Sequence, residues 1–180
     1  MRPLITTSRL DLRPFRSGDA DELHEVFADP LTHLIGDGPF TSIDQTRSWI
    51  QRRVELERNT GLLWYAVREL SASRLLGNCG LFAGRTGITE PENGYEIRHA
   101  FQGHGYATEA AHLVLREGFA AGLPRIWATI RPHNTTSLRI ATKIGMSEQY
   151  TTVDQKGSLT FLASTPPLTH HRCNDAPTAG

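Results

Sequence analysis

The sequence predicts a mixed α/β domain of the α+β kind, built on one sheet, and three observations carry that expectation. At 180 residues with 38% hydrophobic content, the chain has the size and apolar share of a single domain. Its apolar residues recur at alternating spacing in some stretches and at helical spacing in others, in the order β-α-α-β-β-β-α-β-α-β-β. No internal repeat is visible, so one sheet with packed helices is preferred to a solenoid or a bundle. A chain this long buries roughly 70% of its unfolded surface, enough for a core without staples.

Each element has its local reason. Residues 9–15 alternate charged and apolar side chains, the period of a half-buried strand. Ser17, Gly18 and Asp19 then offer turn and cap groups before a helix over 20–28, where Leu23, Val26 and Phe27 share a face. Thr41 and Ser42 can cap a second helix over 43–58, carried by Trp49, Ile50, Val54 and Leu56 and stopped by Asn59-Thr60-Gly61. Residues 62–68 are aromatic and β-branched and read as a strand, with 75–82 as its partner. A polar, glycine-rich turn is expected over 84–93, then a strand over 94–98, a loop over 100–105 and a helix over 106–121. Residues 125–131 alternate as a strand, 137–144 form a short helix stopped by Gly145, and strands close the domain over 148–153 and 158–163. The domain is expected over 1–165. Residues 166–180, with Pro166, Pro167 and Pro177, are expected to form a disordered tail.

Composition removes several function classes. Nineteen basic and nineteen acidic residues give zero formal net charge, which argues against a nucleic-acid partner and disfavours a dedicated polycation substrate. Cys79 and Cys173 cannot make a disulfide framework, and no CxxC pair exists for zinc. His170, His171 and Cys173 resemble a metal cluster in composition only, so no metal is expected. No signal-peptide apolar run and no stretch near 20 apolar residues is present, so a membrane is not expected and the cytoplasm is the expected location.

The chemistry concentrates in residues 92–146. Gln102-Gly103-His104-Gly105-Tyr106-Ala107 follows a strand and opens a helix. Glycines let the backbone approach a ligand, and the unpaired amides of a first helical turn favour an anion. A plain glycine turn with nothing bound satisfies the same pattern. A dinucleotide fingerprint needs a third glycine where Thr108 stands, and no Gly-Lys-Ser/Thr follows for a phosphate-loop nucleotidase.

These residues resemble the acetyl-CoA signature of the GNAT N-acetyltransferases, Gln/Arg-x-x-Gly-x-Gly/Ala, with Gln102, Gly105 and Ala107 at its fixed places. Gly94-Tyr95, Thr108-Glu109-Ala110, Asn134-Thr135-Thr136-Ser137 and Lys143-Ile144-Gly145-Met146 resemble the RimJ/RimL-type branch. The resemblance implies a mostly antiparallel sheet with one splayed parallel pair, helices on both faces, and acetyl-CoA as cosubstrate in the gap. It implies backbone bonds from Ile97 and Arg98 to the acetyl and pantetheine groups, and a diphosphate held at Gly103, His104, Gly105, Tyr106 and Ala107. Asn134 would bond the pantetheine arm and Ser137 would lie near the sulfur. Arg139 and Lys143 would face phosphates, or else form a solvated helix face.

The implied reaction is direct attack of a primary amine on the thioester, the amine being a protein N-terminus or a small molecule. Neutralising the amine at pH 7 costs about 1 kcal/mol for an α-amine and about 4.6 kcal/mol for a lysine. Glu92 and Glu96 are the candidate bases, with Glu92 nearer the place of the family's strand glutamate; both serve equally as solvent-facing strand carboxylates. Many members carry a tyrosine acid four residues before the glycine that ends the short helix, where this chain has Ala141. Ser137 is the substitute, with Tyr95 and Tyr150 as further candidates, although a serine there also suits a helix cap. A silent module that binds acyl-CoA as a sensor is the rival expectation, and a nicotinamide oxidoreductase is disfavoured by Thr108. A homodimer through an edge strand near the C-terminus is the expected assembly, if any.

Overall fold

One eight-stranded sheet organises the computed structural model, which describes residues 1–33 and 38–167. In chain order the elements are β1 (Ile5–Thr6), β2 (Leu10–Pro14), α1 (Ala20–Phe27), α2 (Ile43–Thr60), β3 (Trp64–Glu69), β4 (Leu75–Gly84) and β5 (Gly87–Ile97). They continue with α3 (Tyr106–Ala120), β6 (Ile126–Ile130), α4 (Thr135–Lys143), β7 (Ser147–Asp154) and β8 (Gly157–Ser164). Short 3-10 turns at Ser17–Asp19 and His99–Phe101 lead into α1 and the glycine loop. The sheet order is β1-β2-β3-β4-β5-β6-β8-β7, antiparallel throughout except between β5 and β6. Those two strands meet in register only at Glu92 and Trp127, so their C-terminal halves part and leave a gap in the sheet.

Two apolar layers sandwich the sheet, and β3 shows why. Tyr65 and Val67 join the core under α3, with Leu81, Ala110, Val114 and Ile126. Trp64 and Ala66 face the other way, into a layer with Leu23, Phe27, Trp49 and Ile50 from α1 and α2. Alternation along one strand thus feeds both layers. Gly118 lets α3 lie close to the sheet, since a Cβ there would stand 2.6 Å from Ile126 Cδ1.

The structure departs from the sequence expectation in three places. The turn expected over 84–93 is only Arg85-Thr86, with Gly87 at φ 89° closing it, and β5 already runs from Gly87. Polar residues on an exposed strand margin look like a turn when only composition is read. The two-residue β1 was too short for any periodicity to reveal. The cap of α4 is Asn134, whose Oδ1 accepts the Ser137 N–H at 3.1 Å, so Ser137 is not the cap. Residues 168–180, with most of the expected tail and His170, His171 and Cys173, lie outside the described residues. No described helix is long and apolar enough to cross a membrane, and no described group of three His, Cys, Asp or Glu could hold a metal ion.

Asp19 ties the first helix to the sheet. Burial opposes its charge, but bonds from Arg13 (2.6 and 2.8 Å), the Arg16 N–H (2.7 Å) and Arg68 (3.1 Å) outweigh that and hold its pKa below 3.8. A depressed carboxylate pKa contributes stability above the unfolded value, and that contribution vanishes as pH falls through the folded value. Asp19→Asn leaves the half-buried Arg13 without its carboxylate and leaves Arg68 with Glu22 alone, so Tm at pH 7 is expected to drop by about 5–10 °C. The gap between variant and wild type should close below about pH 3, as a pH series of thermal melts would show.

Candidate active site

The gap beside β5 opens into a cleft of about 390 Å³, floored by the N-terminus of α3. Gly103 and Gly105 both have φ 81°, a left-handed conformation that turns the chain sharply into the helix. Nothing lies within 4 Å of where a Gly103 Cβ would be, and only Arg9 Nη2, at 3.7 Å, approaches that of Gly105. The first backbone bond runs from the Glu109 N–H to the Gly105 carbonyl at 3.0 Å. The amides of Tyr106, Ala107 and Thr108 therefore reach the cleft wall without helical partners. Gln102 braces the loop by donating from Nε2 to the Ile97 carbonyl at 2.9 Å. Arg139 and Lys143 line the same cleft from α4, and neither is in an ion pair among the described residues. An open glycine floor, helical amides and two cations suit a diphosphate and a further phosphate, which is the chemistry coenzyme A presents.

A second cavity, about 340 Å³, lies on the opposite side of β5 under α1 and α2. Its walls include Phe27, Trp49, Trp64 and Phe82, and Gly94 is small because a Cβ there would stand 2.8 Å from Trp64 Cη2. Tyr95, Glu96, Asn134 and Ser137 line both cavities and so mark the junction between them.

The two candidate bases differ once their surroundings are known. Glu92 is almost sealed, and its oxygens are taken by the Arg85 N–H and by the Thr129 hydroxyl at 2.5 Å. It bolts the β4–β5 hairpin to β6 just before the strands part. Glu96 stands at the junction, bonded to His33 Nδ1 at 2.9 and 3.1 Å and to Asn78 Nδ2 at 3.4 Å. His33 was not anticipated, because it lies 63 residues from Glu96 in a loop with no pattern of its own. Phe27 and Phe40 hold its ring at 4.8 and 5.0 Å.

Ile97, Gln102, Gly103, Gly105, Tyr106, Ala107 and Asn134 all line the cleft. Arg98 and His104 are not brought to it. The Arg98 N–H is spent on the Leu76 carbonyl at 2.8 Å, its carbonyl accepts from Phe101, and its guanidinium pairs with Glu25. His104 turns back to the Gln102 carbonyl at 2.9 Å and stacks on Tyr106. Ser137 presents its carbonyl to the Tyr95 hydroxyl at 3.1 Å. Burial pushes the Tyr95 phenol well above its ordinary pKa, so it remains a donor at any working pH. Tyr150 sits far off, stacked on Phe161 at the sheet edge. Ala141 is buried in the core, so that position presents nothing to the cleft. Cys79 is fully buried with its thiol pushed up to about 12, which leaves no thiolate for covalent catalysis.

Fold and clefts together have the form of a coenzyme A-dependent acyltransferase: a sheet opened between two parallel strands, a glycine-and-amide floor in one cleft and an aromatic-walled cavity on the other side. Residues 9–147 match the family described as "Acetyltransferase (GNAT) domain", and the chain belongs to it. It is 32% identical over 152 residues to "Uncharacterized N-acetyltransferase YoaA" of Bacillus subtilis (strain 168), covering 83% of this chain and 85% of that protein. Among solved structures it is similar to a GNAT-family acetyltransferase from Bacillus anthracis, with 25% identity, TM-score 0.77, and 90% and 98% of the two chains covered. It shares its fold with RimL, a ribosomal L7/L12 alpha-N-protein acetyltransferase solved with coenzyme A (17% identity, TM-score 0.80, 90% and 97% covered). The protein is accordingly an acetyl-CoA-dependent N-acetyltransferase that acts on an amine. The mostly antiparallel sheet has no place for the doubly wound nicotinamide fold.

Proposed function

We propose that the amine is acetylated at the junction of the two cavities, with Glu96 as the base and Ser137 as the donor to the departing sulfur. The observation that carries this is that Glu96 and Ser137 line both cavities at once. When bound, acetyl-CoA supplies an acetyl group on a thioester. The α3 amides and the cations of α4 hold its phosphates, and Asn134 steadies the pantetheine arm. Glu96, oriented by His33 and Asn78, takes the proton that the amine sheds as its nitrogen–carbon bond forms. The carbon–sulfur bond breaks, and the Ser137 hydroxyl, behind which Tyr95 stands, offers its hydrogen to the sulfur. Glu92, bonded to the Arg85 N–H and the Thr129 hydroxyl, stays out of the proton path and fastens the β4–β5 hairpin to β6 where the strands begin to part.

The catalytic domain spans 1–165 and works in the cytoplasm. The β7 strand, exposed along its whole length at the sheet margin, is the edge through which a second copy would pair. A neutral amine is needed for attack, and an α-amine or other weakly basic amine asks least of a single carboxylate. Such an amine could belong to a small molecule or to a protein N-terminus.

Two measurements test this. Thermal protection by coenzyme A but not by NAD is expected, and free thiol should appear when acetyl-CoA is mixed with a panel of amines and short peptides. Protection without thiol release across the panel would support the silent sensor instead.

A further inference from the structure

The acceptor cavity holds a cation that acetyl transfer as described does not use. Arg53 projects from α2 one turn after Trp49, and its guanidinium carbon lies 4.8 Å from the Trp49 ring, 4.5 Å from Trp64 and 5.7 Å from Phe82. Its Nε is sealed from solvent with no hydrogen-bond acceptor. Among the described residues no carboxylate pairs with it. Arg131, the cavity's other guanidinium, is by contrast bonded to Asp154 at 2.8 Å and to the Gly157 and Ser158 carbonyls. Burial, with neighbouring Arg52, lowers the Arg53 pKa to about 10, which still leaves it charged near neutrality.

Aromatic faces attract a guanidinium but accept none of its N–H bonds, and a charge taken from water needs both attraction and acceptors. Facing it across the same cavity is Glu96. The two are linked along the wall: Trp64 Nε1 donates to Asn78 Oδ1 at 3.1 Å, and Asn78 donates to Glu96. One cavity thus has an anionic pole at the reacting end, a cationic pole on α2, and aromatic surface between.

We propose that Arg53 determines acceptor specificity by binding a carboxylate of the acceptor, so that the substrate is a small amine of the amino-acid class with an apolar or aromatic body. The inference rests on the assignment of the amine to the Glu96 end. A planar guanidinium takes a carboxylate through two parallel bonds, which fixes the orientation of the molecule as well as its charge. A cavity of about 340 Å³ suits such a molecule better than a peptide.

The test compares free amino acids with their amides as acceptors, in wild type, Arg53→Lys and Arg53→Met. Wild type should favour the acid over its amide by at least tenfold in kcat/KM expressed per neutral amine, which removes the higher basicity that the carboxylate gives the free amino acid, and mainly through KM. Arg53→Met should bring that ratio near one, and Arg53→Lys should restore part of it. A ratio near one in wild type, a ratio unmoved by Arg53→Met, or better use of an acidic peptide than of any amino acid would overturn the proposal. A second arm needs no turnover: with coenzyme A present, aryl- and alkyl-carboxylates lacking an amine should raise the Tm of wild type but not of Arg53→Met, and their amides should raise neither. Without ligand, Arg53→Met should melt no lower than wild type, because it removes a largely covered charge with no paired carboxylate among the described residues; a drop of several degrees would make Arg53 a packing residue and sink the idea. Carboxylate protection without acetylation of any amine would refute the transfer assignment alone, whereas acetylation without carboxylate preference would refute the anion site alone.

Discussion

Glu96→Gln is expected to lower kcat/KM by about 10²–10³, the usual share of a positioned general base, with coenzyme A affinity unchanged within about twofold. The substitution keeps the shape of the side chain and a carbonyl that Asn78 can still bond, so its effect falls on proton acceptance. Glu92→Gln should do the reverse. The Arg85 amide and the Thr129 hydroxyl both donate to that carboxylate; a Gln amide keeps its carbonyl on the Arg85 N–H, but its NH2 then meets the Thr129 oxygen, whose hydrogen must turn away inside a sealed site. One buried mismatch of that kind costs about 1–3 kcal/mol, a fall of about 2–10 °C in Tm, while turnover per folded molecule stays within a fewfold of wild type. Stopped-flow thiol release and thermal melts on both variants separate the two roles. Loss of turnover in Glu92→Gln alone, with Glu96→Gln active, would return the base to Glu92.

The second large effect belongs to the glycine floor. Gly103→Val should weaken coenzyme A binding at least tenfold by calorimetry. Space is not the reason, since a Cβ there meets nothing within 4 Å. The cost is conformational: a β-branched residue at φ 81° is strained by about 1–2 kcal/mol, and the loop relieves the strain by rotating the amides that line the cleft. Gly122→Val is the control. Its φ of 91° is equally left-handed and its surroundings equally open, but it follows the C-terminus of α3, at the other end of a 15-residue helix. Both variants should lose a few degrees of Tm, and only Gly103→Val should lose coenzyme A. Equal affinity in the two would mean that the α3 amides do not hold the diphosphate.

Much of this was legible before any coordinates. The left-handed glycines, the helix that follows them and the order of elements are local properties, written in runs of five to fifteen residues by spacing and turn chemistry. That is why the cleft residues from Ile97 to Ala107 emerged as a group. Arg98 and His104 were included because they adjoin the motif in the chain, yet Leu76 and Glu25 take the Arg98 amide and guanidinium, and the Gln102 carbonyl takes the His104 ring. Composition also misjudged the start of β5, where exposed polar residues pair in a ladder that only the facing strand defines.

The acceptor side was hidden for a different reason. Glu92 and Glu96 are the same residue type on the same strand face, and nothing along the chain separates them. What separates them is partners brought from far away, Thr129 and Arg85 for one, His33 and Asn78 for the other. Arg53 looked like any charge on a helix until Trp64 and Phe82, on two different strands, closed around it. The chain alone, through its resemblance to the GNAT signature, pointed to the family, and it located the glycine turn that opens α3 because turn and helix-start chemistry need no distant neighbour. Only the tertiary structure decided which carboxylate stands where the two cavities meet and which cation has no paired carboxylate among the described residues, because those properties arise from contacts between residues tens of positions apart.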